Sequence, residues 1–341
     1  MEAWCYEGLD DKKVRCNLCI IRCVIAEGKR GICQTRENRN GRLFNIVYGG
    51  LSSFSTDFVE KVPLYHFHPN HRFLTVGSVG CNLSCKFCLT WSITQRPPEE
   101  IETEALSPDR LVTAASELGC KGIVYTHSEP TLNIEFYSEL MEKAKKAGLA
   151  NVFATNGFIS IEAFERIARL VDAVALTFKG GEEFYRKVCG ARYDHNHFNR
   201  LIDLIRNRGI HLELVYVLIP GENDDEESLK EVIELAKGAK APLIFLRFFP
   251  SYKMEDIESP SEEALERAVN LAYASGLEYA YMENIFQHPG KNTYCTGCKT
   301  SLVEREGYGI VAWRIKDGKC PVCKRAVPMI GESKLAASPA R

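Results

Sequence analysis

Between about residue 72 and residue 283, short apolar runs alternate with longer amphipathic stretches. Short apolar runs fit strands buried on both faces, and the stretches between them carry apolar residues at helical spacing. The alternation therefore constrains the chain to successive βα units around a parallel sheet. Strands are expected near 73–78, 122–126, 152–155, 173–178, 212–219 and 243–248, with a seventh candidate near 278–282. Six such units favour an open, partial (β/α) barrel over a closed eight-stranded one. Helix starts are marked by Ser107-Pro108, by Asn223 with Glu226, and by Ser259 before Pro260 with Glu262. Chemistry in such barrels gathers at the C-terminal strand ends. At those ends stand the Cys81 loop, His127-Ser128-Glu129, Asn156-Gly157, Thr177 with Lys179, Glu222-Asn223 and Arg247.

The loop after the first of these strands reads Ser78-Val79-Gly80-Cys81-Asn82-Leu83-Ser84-Cys85-Lys86-Phe87-Cys88. Three thiolates on so short a loop can converge on one iron–sulfur cluster; a cubane normally takes four cysteines, so three leave one iron open to a substrate or cofactor. Zinc is the competing reading, but zinc sites usually show paired C-x2-C units and a fourth protein ligand. None lies nearby.

The chain holds 14 cysteines, and in a chain without an apolar leader or membrane-length run this number argues for metal binding more than for disulfides. A cytoplasmic protein with no membrane span is expected. Cys16, Cys19, Cys23 and Cys33 form a second set, open to zinc, a single iron or a second cluster. Cys295, Cys298, Cys320 and Cys323 form a third, with the two-knuckle spacing of a zinc ribbon or a rubredoxin-like iron site. Cys5, Cys120 and Cys189 stand alone, and a small buried residue is the ordinary reading of each. His66, His68 and His71 are close in sequence, but Pro69 puts a turn among them, so packing and hydrogen bonding are expected rather than a metal. A net charge of −2 gives no global attraction to nucleic acid or anionic membrane. The expected organisation is an N-terminal Cys-rich metal-binding segment over 1–70, a core barrel over 71–290, a four-Cys module over 291–330 and a disordered tail over 331–341.

The C-x3-C-x2-C spacing followed by Leu89-Thr90-Trp91 resembles the radical S-adenosylmethionine (SAM) superfamily. Further blocks extend the likeness: Tyr125-Thr126-His127-Ser128-Glu129-Pro130-Thr131, Thr155-Asn156-Gly157-Phe158, Phe184-Tyr185-Arg186-Lys187-Val188-Cys189-Gly190 and Ile219-Pro220-Gly221-Glu222-Asn223-Asp224. Together they resemble the radical SAM members of the AmmeMemoRadiSam group, relatives of pyruvate formate-lyase activating enzymes, over roughly residues 16 to 323. The resemblance implies a radical SAM barrel and an enzyme whose [4Fe–4S] cluster on Cys81, Cys85 and Cys88 binds SAM at its open iron. It implies reductive cleavage of SAM to a 5′-deoxyadenosyl radical that abstracts hydrogen, with electrons from a low-potential donor such as ferredoxin or flavodoxin. Ser128 and Glu129 stand where relatives contact the SAM amino group. Asn156, Lys179 and Arg247 are further candidates for SAM contact, and Lys179 also for a catalytic role. A partial barrel leaves room for a protein, peptide or other bulky substrate. Radical methylation or cyclisation, and an iron–sulfur carrier that leaves SAM intact, are the alternatives. Activating enzymes carry an Asp-x-Lys triplet where this chain has Thr177-Phe178-Lys179, and related sequences commonly read Tyr-Asn-Glu-Pro at His127-Ser128-Glu129-Pro130, which sets glycyl-radical activase activity in doubt.

Overall fold

The computed structural model describes residues 1–333; most of the expected disordered tail, from residue 334 onward, lies outside the described residues. An eight-stranded sheet runs through the molecule. Its strands are β1 (Ser53–Phe58), β2 (Arg72–Gly77), β3 (Gly122–Tyr125), β4 (Ala150–Thr155), β5 (Ala173–Phe178), β6 (His211–Leu218), β7 (Leu243–Arg247) and β8 (Ala280–Glu283). They lie side by side in sequence order. β2 to β8 are parallel, and β1 pairs antiparallel with β2 as an edge. The seventh candidate is thus a true strand, β8. β3 and β8 are buried at every residue and β2 at all but its first, which is why these segments read as continuous apolar runs rather than as alternation.

The long helices are α1 (Pro108–Glu117), α2 (Ile134–Lys146), α3 (Ile161–Ile167), α4 (His195–Asn207), α5 (Glu226–Ala239) and α6 (Glu262–Ala274). Ser107 caps α1 as expected, its side chain accepting from the Arg110 N–H at 3.3 Å. Two other expected starts are corrected. The cap of α5 is Asp225, which accepts from the Ser228 N–H at 2.9 Å. Asn223 is committed elsewhere: its Oδ1 accepts from the Ile219 N–H at 2.7 Å and its Nδ2 donates to the carbonyls of Val217 and Lys179. The cap of α6 is Ser261 rather than Ser259, because the Pro260 carbonyl accepts from Arg247 Nε at 2.9 Å and keeps that turn at the strand end.

Two small cysteine-bearing segments attach to this sheet. The N-terminal one contains a three-stranded sheet (Tyr6–Gly8, Val14–Cys16, Val24–Ile25) and a hairpin (Arg36–Arg39, Arg42–Asn45). The C-terminal one is a three-stranded antiparallel sheet (Thr293–Tyr294, Ser301–Glu306, Gly309–Trp313). No helix among the described residues is long and apolar enough to cross a membrane.

Candidate active site and metal centres

The cysteine loop leaves β2 at its C-terminal end and has no regular structure until the single helical turn Trp91–Thr94. Hydrogen bonds hold its course. The Gly80 N–H donates to the Ile93 carbonyl at 2.8 Å, Gln95 Nε2 donates to the Leu83 carbonyl at 3.0 Å, and the Leu83 N–H points at Cys81 Sγ at 3.4 Å. Gly80 has φ +85°, and a Cβ there would meet Thr35 Cγ2 at 2.6 Å and the Cys33 carbonyl oxygen at 3.0 Å. Glycine is therefore required both by the backbone and by the close approach of the N-terminal segment.

A cavity of about 300 Å³ opens over the loop, lined by Cys81, Cys85 and Cys88 and by residues from the ends of β3 to β7, among them His127, Ser128, Glu129, Asn156, Thr177, Lys179 and Arg247. All the expected strand-end candidates for SAM contact are thus brought together, although their contacts differ from the simplest reading. Asn156 braces the loop: its Nδ2 donates to Asn82 Oδ1 at 2.8 Å and lies 3.7 Å from Cys81 Sγ. Glu129 is buried and accepts from the Asn156 N–H at 2.9 Å, the Thr155 hydroxyl at 2.8 Å and Thr131. Burial raises its pKa, and those bonds only partly offset the rise. Lys179 makes no ion pair among the described residues. Burial works against its charge, but the sulfurs of Cys85, Cys189, Cys81 and Cys88 hold its pKa above the ordinary lysine value.

Cys189 is fully buried against Cys85, whose thiol it pushes up together with burial. Its carbonyl accepts from the Ser84 N–H at 2.9 Å, so the segment Tyr185–Cys189 packs on the cysteine loop. This lone cysteine has a packing role, as expected, but next to the reactive loop rather than in a remote core.

The family model of the Radical SAM superfamily matches residues 75–236, and an uncharacterized protein of Methanocaldococcus jannaschii is 37% identical over 334 residues, 96% of this chain and 99% of that protein. The chain belongs to the radical SAM superfamily. Pyruvate formate-lyase 1-activating enzyme of Escherichia coli K12 is 24% identical over 221 residues, 58% of this chain and 87% of the enzyme. A radical SAM methyltransferase from Sphaerobacter thermophilus shares the fold with a TM-score of 0.50 at 20% identity, over 64% of this chain and 67% of that one.

Superfamily members are enzymes, and membership implies a [4Fe–4S] cluster and SAM. The cavity fits such groups on its own evidence. Ser128 Oγ, on the cavity wall, is buried without a hydrogen-bond partner, so a polar atom stands ready for a ligand. Burial, with the charges of Cys85 and Glu129, pushes Cys81 well above the ordinary thiol range. A buried thiolate there needs a positive partner, which a metal centre would supply.

The two four-cysteine sets differ in spacing. Cys295 and Cys323 have their sulfurs 3.4 Å apart, Cys298 and Cys320 3.6 Å. These four are, among the described residues, the one group of three or more histidine, cysteine or acidic side chains whose ligand atoms all lie within 4.8 Å of one another. That matches four thiolates on a single ion at about 2.3 Å each. Neither Cys81, Cys85 and Cys88 nor the N-terminal four meet that spacing.

Sequence reasoning did not single out Asn82, Thr94 or Gln95 as parts of the site. Thr94 Oγ1 lies 3.2 Å from Cys88 Sγ. Asn82 sits between the first two cysteines and was legible as part of the loop; the other two carry no local signal.

Proposed function

We propose that this enzyme uses Cys81, Cys85 and Cys88 to hold a [4Fe–4S] cluster whose open iron binds SAM, and that it abstracts hydrogen from a bulky substrate, a protein or peptide being the first choice. Cluster and SAM together supply a 5′-deoxyadenosyl radical after one-electron reduction by a ferredoxin- or flavodoxin-like donor. The observation that carries this reading is a three-cysteine loop facing a cavity that also holds an unpaired lysine and an unpartnered serine hydroxyl. Lys179 offers its charge to an anionic group such as the SAM carboxylate, Ser128 and Glu129 face the amino end, and Asn156 fixes the loop through Asn82. Arg247 lines the cavity while its Nε is held by Pro260, leaving the rest of the guanidinium to a ligand. Leu89, Trp91 and Phe249 are exposed at or beside the cavity, an apolar rim suited to a large partner. Thr177, in place of the aspartate of activating enzymes, supports a substrate other than a glycyl-radical protein. In this reading residues 71–290 form the catalytic core, 1–70 and 291–330 its metal-binding additions.

The test is anaerobic, cluster-loaded protein reduced in the presence of SAM. 5′-Deoxyadenosine and methionine should form, and deuterium from a labelled substrate should appear in the 5′-deoxyadenosine. Lys179→Met should weaken SAM binding roughly tenfold to a hundredfold, the scale of one charged hydrogen bond, in calorimetric titration. Intact SAM after reduction of fully loaded enzyme would refute the assignment.

A further inference from the structure

We propose that Cys16, Cys19, Cys23 and Cys33 hold a second iron–sulfur cluster, one thiolate to each iron, and that it passes electrons to the Cys81 loop. Two observations carry the first half. The four cysteines lie together: the Cys16 N–H donates to the Cys23 carbonyl at 2.9 Å, the Arg22 N–H donates to the Cys19 carbonyl at 3.2 Å, and a Cβ on Gly31, two residues before Cys33, would stand 3.7 Å from Cys23 Sγ. Yet their sulfurs do not crowd within 4.8 Å as the C-terminal four do. The same wide spacing is found at Cys81, Cys85 and Cys88, where the superfamily places a cubane. A single tetrahedral ion draws its sulfurs to about 3.8 Å apart, from bonds of about 2.3 Å, whereas a cubane takes its cysteines at separate irons. The N-terminal set therefore follows the pattern of the cluster loop.

The second half rests on where the set lies. Cys33 is adjacent to the cluster loop, its carbonyl oxygen 3.0 Å from where a Gly80 Cβ would stand. Cys19 bridges to Ile159, and the Ile20 N–H donates to the Phe158 carbonyl at 2.9 Å, on the chain that continues from Asn156 at the loop. The outer edge is open: Cys23 is half-buried, and its neighbour Val24 and Ile32 beside Cys33 are exposed. The site thus has one edge toward solvent and one toward the Cys81 loop. Each transfer carries one electron and nothing else. A low-potential donor of the ferredoxin or flavodoxin class is oxidised by one electron, the N-terminal cluster is reduced and then reoxidised, and the Cys81 site is reduced; no bond or proton moves. This second half rests on the function proposed above; the first does not.

The experiment separates them. Protein carrying Cys81→Ala, Cys85→Ala and Cys88→Ala, purified anaerobically, should retain iron and acid-labile sulfide in similar amounts and give a reduced-cubane EPR signal. Adding Cys19→Ala and Cys23→Ala should abolish the sulfide and the signal, leaving only the mononuclear metal of the C-terminal four cysteines. A triple variant without acid-labile sulfide, carrying only mononuclear metal, would overturn the cluster. Mössbauer spectra of the unmodified protein provide the same decision without any substitution, since cubane iron should be twice what one cluster supplies. For the relay, Cys19→Ala/Cys23→Ala protein with its Cys81 site loaded should be reduced by flavodoxin hydroquinone slower by roughly an order of magnitude, while dithionite-driven SAM cleavage is unchanged. Equal flavodoxin rates would overturn the relay and leave the cluster standing. Failure of SAM cleavage in unmodified enzyme would remove the proposed function without altering the sulfide count of the triple variant.

Discussion

The N-terminal and C-terminal segments each bring four cysteines, at different spacings, and they sit at opposite ends of the sheet. The N-terminal one packs where the parallel strands end. Buried Arg36 makes a two-pronged ion pair with Glu135 of α2, at 2.6 and 2.9 Å, and Asn45 Nδ2 donates to Asn133, whose own amide donates to Ser78 at the root of the cysteine loop. The C-terminal one packs where the strands begin. Its Cys295 lies beside Tyr279, just before β8, and residues 328–330 cover the segment leading into β2, with the His68 N–H donating to the Ile330 carbonyl at 2.7 Å. Arg305 lies over the Tyr65 ring and donates to the Tyr65 carbonyl at 3.1 Å. In a parallel barrel the strand ends host chemistry and the strand starts host stability. The difference teaches that one four-cysteine segment is built against the candidate site and the other into the frame.

The most severe way to probe this contrast is to remove the C-terminal metal. Cys295→Ser with Cys320→Ser should unfold that module, because metal binding is its folding energy, on the order of 10 kcal/mol for small zinc modules. Limited proteolysis should then cut within 291–330 while iron and sulfide at the other sites persist. Loss of the Cys81-site cluster in the same variant would erase the distinction between frame and site.

A smaller loss is expected from the other side. Glu135→Ala leaves the Arg36 charge buried and unpaired, and both side chains are only 1% exposed. A cost of about 3–5 kcal/mol follows, read from urea unfolding, together with lower metal content at the N-terminal four cysteines and an unchanged mononuclear site at the C-terminus.

The smallest effect is set by pH and should touch the C-terminal contact alone. Burial holds His66 neutral, its pKa down to about 4, with Nδ1 3.0 Å from the Pro328 carbonyl and Nε2 2.6 Å from the Tyr281 hydroxyl; Glu213, His211 and Arg305 are the charged or titratable groups around it. The unfolded chain takes up that proton near pH 6.5 and the folded one does not, so this stability is present above 6.5 and is lost as pH falls toward 4. Thermal midpoints should drop over that window, with hydrogen exchange rising first in residues 65–71 and 326–330. A window unchanged in His66→Gln would assign the drop elsewhere.

The sequence by itself determined what depends on near neighbours. The positions of β2 to β8 follow from apolar runs, the Ser107 cap from a serine before proline, and the three-cysteine loop from its spacing, because these signals act within a few residues. Tertiary structure decided the rest, since the deciding partners lie far along the chain. Asn223 serves β5 and β6 rather than α5 because Lys179 and Val217 offer carbonyls to it. Cys189 becomes a neighbour of Cys85 only when the segment after β5 folds over the loop. No local pattern tells that the N-terminal four cysteines pack beside the cysteine loop and the C-terminal four at the strand starts. That separation comes from which end of a parallel sheet each meets, through contacts such as Arg36 with Glu135, 99 residues apart, and Arg305 with Tyr65, 240 residues apart.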